Sequence, residues 1–447
     1  MTNMSHPRRN FLTAAGLGGL GMFWQNTLGR AVAGAAPNGT AKSVILIFNC
    51  GAPSHIDLWD LKPNATDTVR GPYKPIATSA PGVEISELLP NLARHAHRFS
   101  IVRSVHHTHA SHNGGMHWSI VGRPYRTDST LVTPSRTDMP SFGTLVGWLA
   151  QRDGLAGALP PYVITPAPHC DSTVYLTPGQ FGGCLGPGCD PLVLNSDPNS
   201  PNFSVPDLGP LEGVTSDRQL DRQSLLGRLG QCGIPIAAAG SLDFEINRNK
   251  ALSLMGSVAA REAFDLTKEA PALRDRYGRH TWGQSHLLAR RLVEAGVRFV
   301  TTVNGQSIIW DTHLDNFGRL EKTLVPPMQN AFSTLLDDLV DRGLLDSTLV
   351  VWMGDFGRTP IINSNAGRDH WPQCYSMVLA GGGIRGGQVI GESDSTGAFP
   401  KSRPISPADV HATVFSALGY DARSIVYHLS DGRPVQLSDG EPIRELL

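Results

Sequence analysis

The run Leu349-Val350-Val351-Trp352-Met353 constrains this chain more than any other stretch. Consecutive apolar residues without polar alternation need both faces covered, as in a strand of a parallel sheet flanked by helices. The run stops at Gly354-Asp355-Phe356-Gly357-Arg358-Thr359-Pro360, and Gly367-Arg368-Asp369-His370 follows closely. Open α/β sheets place their ligand crevice beyond the carboxyl ends of the strands. Asp355 is therefore a candidate site residue.

Other segments repeat the theme. Ser43 to Phe48, Phe99 to Val105, Pro161 to Ile164, Val297 to Val303 and Ser376 to Leu379 read as strands. Ser141 to Gln151, Gln284 to Glu294, Lys322 to Arg342 and Pro407 to Leu418 read as helices. This alternation predicts an α/β fold, a mostly parallel sheet covered by helices on both faces. With 447 residues, 40% of them hydrophobic, the chain can bury one large core. From about Pro166 to Gly213 it is rich in Pro, Gly, Asn and Asp without periodicity, which reads as a long loop insertion. Helices at about Asp217 to Leu229 and Ser241 to Glu269 would complete an insertion around 166–270. Net charge is −1, so no global field recruits nucleic acid or an acidic membrane.

Residues 1–35 read as a twin-arginine export signal: Arg8-Arg9-Asn10-Phe11-Leu12, a Gly-rich apolar run to Trp24, and small residues at Ala31-Val32-Ala33. The expectation is a periplasmic protein whose remaining chain, 36–447, is one domain. No later stretch is long and apolar enough to span a membrane, so no membrane contact is expected after signal removal. In an oxidising compartment Cys184 and Cys189, in one Gly/Pro-rich loop, could bridge or stay as thiols; a zinc site on that pair is the alternative, but no second Cys/His pair sits at finger-like spacing.

Three loops, each following a strand, carry polar ligand types. Asp311 and His313 follow one strand, Asp355 and then His370 another, and Asn49 and Asp57 the first. Carboxylates with imidazoles favour Zn²⁺ or Mn²⁺; an all-oxygen set would favour Mg²⁺ or Ca²⁺. Taken singly, Asp311 could cap a helix and His370 could be an ordinary loop histidine. Their joint occurrence past strands is what points to a divalent metal. The stretch from His106 to His117 holds five histidines and reads as a polar loop in which His107, His109 and His112 could ligate metal or act in acid/base chemistry. Ser111 lies beside it with no visible Asp partner, a weak triad candidate. Arg358 and Arg368 suit an anionic substrate group, or a structural ion pair. Gly381 to Gly386 fits G-x-G-x-x-G but leads into an extended segment, against a dinucleotide site. Asp409 reads as a helix N-terminal residue.

The twin-arginine start, Gly51 to Asp57, Asp311-Thr312-His313, Gly354 to Pro360 and Gly367 to His370 together resemble the bacterial family called domain of unknown function fifteen-oh-one. That family is similar in fold to the alkaline-phosphatase and sulfatase superfamily, whose members use one or two metals to hydrolyse phosphate or sulfate esters. The resemblance implies an alkaline-phosphatase-like fold and Asp311, His313, Asp355 and His370 as metal ligands. It puts Asn49 or Cys50 where the superfamily has its first metal-binding Asp, and Phe356 where an Asp-His pair has its His. It puts the nucleophile near Ser111 or His112. The implied activity is a periplasmic, metal-dependent hydrolase of small anionic esters. The alternative is a non-catalytic binding or scaffold protein on a degenerate fold.

Overall fold

The computed structural model describes residues 39–171, 175–205, 257–305 and 307–447, with isolated positions from 218 to 255. The export signal at 1–35 and the helix expected at 217–229 lie outside these, apart from single positions of the latter. Residues 38–447 form one compact unit.

Eight strands form one sheet: β1 (Ser43–Asn49), β2 (Phe99–Val105), β3 (Tyr162–Thr165), β4 (Leu192–Val193), β5 (Phe299–Asn304), β6 (Thr348–Gly354), β7 (Tyr375–Ala380) and β8 (Val389–Ile390). Their order is β8-β2-β7-β6-β1-β5-β3-β4. All neighbouring pairs are parallel except those of β7, which runs antiparallel to both β6 and β2. β1 lies in the middle, and all seven of its residues are buried.

Two apolar layers explain why the strands show no polar alternation. Ile45 and Ile47 of β1, with Val350 and Trp352 of β6, face one core cluster. Leu287, Leu288 and Leu292 of α3 (Thr281–Glu294) and Phe332 and Leu335 of α4 (Val325–Asp341) close it. Val44, Leu46 and Phe48, with Leu349, Val351 and Met353, face the opposite cluster. Here α1 (His112–Val121), α2 (Phe142–Arg152) and α5 (Pro407–Ala417) cover the sheet. Successive side chains of a strand point to opposite faces, so both parities must be apolar.

Three expectations are corrected. The histidine-rich stretch is a loop only as far as Ser111; His112–Val121 is a helix with nine of its ten residues buried. Gly115 allows this, because a Cβ there would sit 2.5 Å from the Phe356 ring. The insertion is not structureless either: Leu192–Val193 pairs in parallel with β3 at the sheet edge. The helix expected through Glu269 ends at Phe264, where Asp265 turns the chain into a short 3-10 segment. Two expectations are met in detail. Ser406 and Asp409 form a capping box at the start of α5, and the Gly381 to Gly386 stretch leads into β8, not a helix. Cys184 and Cys189 are not bridged to one another. Among the described residues no helix is long and apolar enough to cross a membrane.

Candidate metal centre

Strand register sets the site. Asn304, Asn49 and Gly354, the last residues of β5, β1 and β6, lie side by side. The chain beyond each feeds one crevice. Gly51, at φ 101°, takes the loop after β1 close against the loop after β5: a Cβ there would lie 2.5 Å from both Asp311 N and Ile308 O. Its N–H donates to both oxygens of Asp355, at 3.2 and 3.1 Å.

Four side chains converge. The Nε2 atoms of His370 and His313 lie 3.2 and 3.1 Å from Asp311 Oδ1, and 3.0 Å from one another. His112 Nε2 lies 3.5 Å from Asp311 Oδ2. The opposite nitrogen of each ring is anchored. His112 Nδ1 is 2.6 Å from Asp355 Oδ2, His313 Nδ1 2.6 Å from Asp369 Oδ1, and His370 Nδ1 2.6 Å from the Ala110 carbonyl. A carbonyl only accepts, so His370 Nδ1 carries the hydrogen, and the two carboxylates ask the same of His112 and His313. A neutral ring with its hydrogen on Nδ1 has its lone pair on Nε2. Three lone pairs therefore point at one carboxylate, and two lie 3.0 Å apart, an arrangement that repels itself unless a cation sits between. His112 Nε2 is buried and makes no hydrogen bond.

These donors could hold a metal ion. Histidine ligands characteristically donate their second N–H to a carboxylate or carbonyl. Donors held about 2.0–2.1 Å from a tetrahedral ion lie about 3.3 Å from one another; here the distances to Asp311 and between His313 and His370 run from 3.0 to 3.5 Å, and the donor atoms of His112, Asp311 and His370 all lie within 4.8 Å of one another. Three imidazoles and one carboxylate suit Zn²⁺ or Mn²⁺ better than Ca²⁺ or Mg²⁺. His112, Asp311 and His370 form the inner group, and His313, with a side chain 42% exposed, stands at the rim.

Electrostatics agree. Burial alone would depress the His112 pKa, but the facing carboxylates of Asp311 and Asp355 outweigh it and lift the ring to about 9. Burial would likewise raise Asp311, yet His112, His370 and the Arg358 charge hold it far below the usual carboxylate range. Burial lowers His370. Without an ion, a proton on His112 partly neutralises the facing carboxylates.

The remaining candidates play other parts. Asp355 is fully buried behind His112 and orients that ring; it is not in the converging set. Asn49 is buried too, its amide donating to Met353 O and its Oδ1 accepting from Asn304, so it joins strand ends and ligates nothing. Ser111 caps α1, its Oγ accepting from Gly114 N–H at 3.2 Å. His112, expected as a metal ligand, an acid/base group or a nucleophile, lies with Asp311 and His370 in the group that could hold an ion. Neither arginine reaches open space. Arg358 donates to Asp311 Oδ1 at 2.6 Å and to the carbonyls of Gly51, Ala52 and Arg368. Arg368 forms a two-pronged bond with buried Asp57, at 2.8 and 2.9 Å, and also donates to the Val69, Thr359 and Pro360 carbonyls. Both were expected on a substrate anion; a buried guanidinium instead has to spend its donors within the protein. Phe356 packs beneath the site, 5.2 Å from the His112 ring centre and 4.8 Å from that of His370. Sequence reasoning missed Asp369 as the anchor of His313, although its place beside His370 was a usable signal.

The molecule is thus an α/β protein with a His/Asp cluster of metal-site composition at the carboxyl ends of its central strands. The chain belongs to the family described as Protein of unknown function (DUF1501), which matches residues 41–447. No curated protein matches it. Among solved structures, it is similar to a protein in the alkaline phosphatase superfamily from Vibrio parahaemolyticus, at 11% identity and TM-score 0.41, covering 87% of this chain and 69% of that one. It is also similar to a sulfatase from Pseudoalteromonas sp., at 13% identity and TM-score 0.36, with coverage of 93% and 72%. A phosphonate monoester hydrolase from Silicibacter pomeroyi matches at 13% identity and TM-score 0.35, with coverage of 90% and 76%.

Proposed function

We propose that the chain is a metal-dependent hydrolase of small phosphate- or sulfate-type esters, exported by the twin-arginine route to the periplasm. One observation carries the reading: three imidazoles, each anchored through Nδ1, turn their Nε2 atoms towards Asp311. A structural role for these rings would not require their lone pairs to meet. The bound ion would polarise an ester oxygen and acidify a water molecule. The chain's own residues do the positioning. Asp355 and Gly51 fix the His112 ring, Arg358 fixes Asp311, and the Asp57–Arg368 pair secures the loop leading to His370. Phe356 keeps water from beneath the ligands.

The scaffold reading draws on a different observation, the placement of the His112 ring between the carboxylates of Asp311 and Asp355, which raise its pKa to about 9 and so favour a pairing that is self-sufficient without an ion. Metal analysis of the purified protein and of Asp311→Ala and His370→Ala, with aryl sulfate and phosphate esters assayed before and after chelation, separates the two. The hydrolase reading expects bound metal, its loss in both variants, and chelator-sensitive turnover. Metal content unchanged by both substitutions, or turnover indifferent to chelation, refutes it.

A further inference from the structure

The charges around the cluster restrict what kind of ester it can take. Within the site, four carboxylates (Asp57, Asp311, Asp355 and Asp369) stand against two guanidiniums, Arg358 and Arg368. With the histidines neutral as ligands, this leaves two negative charges, which one divalent ion cancels. No cationic surplus then remains for a substrate. Both guanidiniums are fully buried and bonded to carboxylates and carbonyls, so neither can turn to meet an incoming anion. The next charges outward also offset one another. Arg319 donates to the Asp311 and Ile309 carbonyls, while Asp128 accepts from the N–H groups of Ala110 and Ser111 and so opposes the positive end of α1. The Phe356 ring, which offers no ligand atom, packs against the rings of both His112 and His370.

We propose, on the basis of the metal-dependent hydrolase reading, that the reacting group of the substrate is a tetrahedral oxyanion ester with a single negative charge. Sulfate monoesters and phosphate diesters share that chemistry. A phosphate monoester dianion does not, because it would leave a buried, otherwise neutral site with two uncompensated charges. The same count singles out Asp369. Half exposed at the rim, it adds negative charge where the substrate enters, and its Oδ1 holds His313. It is a positioning residue that also sets the charge preference.

The test is calorimetric binding to the zinc-loaded protein at about pH 8, where an aryl phosphate, with its second ionisation at about 6, is a dianion. Phenyl sulfate, diphenyl phosphate and phenyl phosphate are the probes. The expected result is that at least one monoanion binds tighter than phenyl phosphate by at least about tenfold, or about 1.4 kcal/mol. Which monoanion binds better distinguishes the sulfate from the diester source. Asp369→Asn keeps an acceptor for His313 and adds one unit of positive charge, so it should narrow the gap by strengthening phenyl phosphate binding. Equal or tighter binding of phenyl phosphate by the wild type overturns the proposal and leaves the hydrolase reading standing. An unchanged gap in metal-replete Asp369→Asn also overturns it. Zinc bound with no affinity for any probe overturns both.

Discussion

Replacing Asp355 by asparagine tests whether this carboxylate ligates or supports. The Asp355 side chain is fully buried, accepts from Gly51 N–H with both oxygens, and holds His112 Nδ1 at 2.6 Å. Asparagine fits the space and keeps one accepting oxygen, but its NH₂ must face either Gly51 N–H or His112 Nδ1–H, donor against donor. The anchoring of one ligand ring is weakened, and the charge that favours the Nδ1–H form of His112 is lost. Losing such a partner behind a metal-bound imidazole typically costs about 10–100-fold in affinity, or about 1.4–2.7 kcal/mol at about 1.36 kcal/mol per tenfold. Asp311→Asn removes an atom of the converging set itself and should cost clearly more. Zinc dissociation constants from competition with a chromophoric chelator measure both. Unchanged affinity in Asp355→Asn would refute the orienting role, and a loss equal to that of Asp311→Asn would make Asp355 a ligand after all.

Three further outcomes follow from contacts already described. Arg368→Met strands Asp57 without a partner in the interior and should lower unfolding free energy by about 3–5 kcal/mol; in urea denaturation the Asp57→Leu/Arg368→Met double variant should lose less than the two singles combined, and additive losses would count against a buried-charge penalty. Gly115→Ala pushes a methyl group into the Phe356 ring, costing about 1–3 kcal/mol; Phe356→Leu should recover part of that, and failure to do so would place the strain elsewhere. Burial would raise the pKa of Glu269, but Arg290 and Arg291 hold it below its usual value. Its contribution is therefore present above its unfolded pKa of about 4.3 and fades as pH falls through the lower folded value. Glu269→Gln should destabilise by about 1.5–3 kcal/mol near neutrality and by progressively less in acid, so a pH-independent difference in denaturation would contradict the pairing.

What could be read from the sequence follows a physical divide. The strands were legible because a segment buried on both faces has to be apolar throughout, a local property of Leu349 to Met353 or Ser43 to Phe48. Asp311, His313 and His370 were legible as ligand types because they follow strand ends. Direction was not. Asp355 and His112 are both of ligand type, and only packing puts the carboxylate behind the imidazole. The arginines misled for the same reason: the partner of Arg368 lies 311 positions away in the chain, and no local pattern announces it. Helix α1 was hidden because Gly114 and Gly115, poor helix formers, are there for close approach, Gly114 to the Ser111 hydroxyl and the Asp128 carboxylate and Gly115 to the Phe356 ring, and not for helical propensity.

The three inner donors come from residues 112, 311 and 370, brought together only when α1 has docked and β1, β5 and β6 have aligned their ends. Unlike a zinc finger, where ligands a few residues apart let the ion nucleate the fold, this centre has no local precursor to which a metal could attach early. The ion has to be acquired by a chain already assembled. Its binding energy would then be added to a finished architecture, slowing the opening of the sheet's carboxyl edge without guiding how the sheet formed. Metal supply would govern how long the folded protein lasts, and would not decide whether it folds.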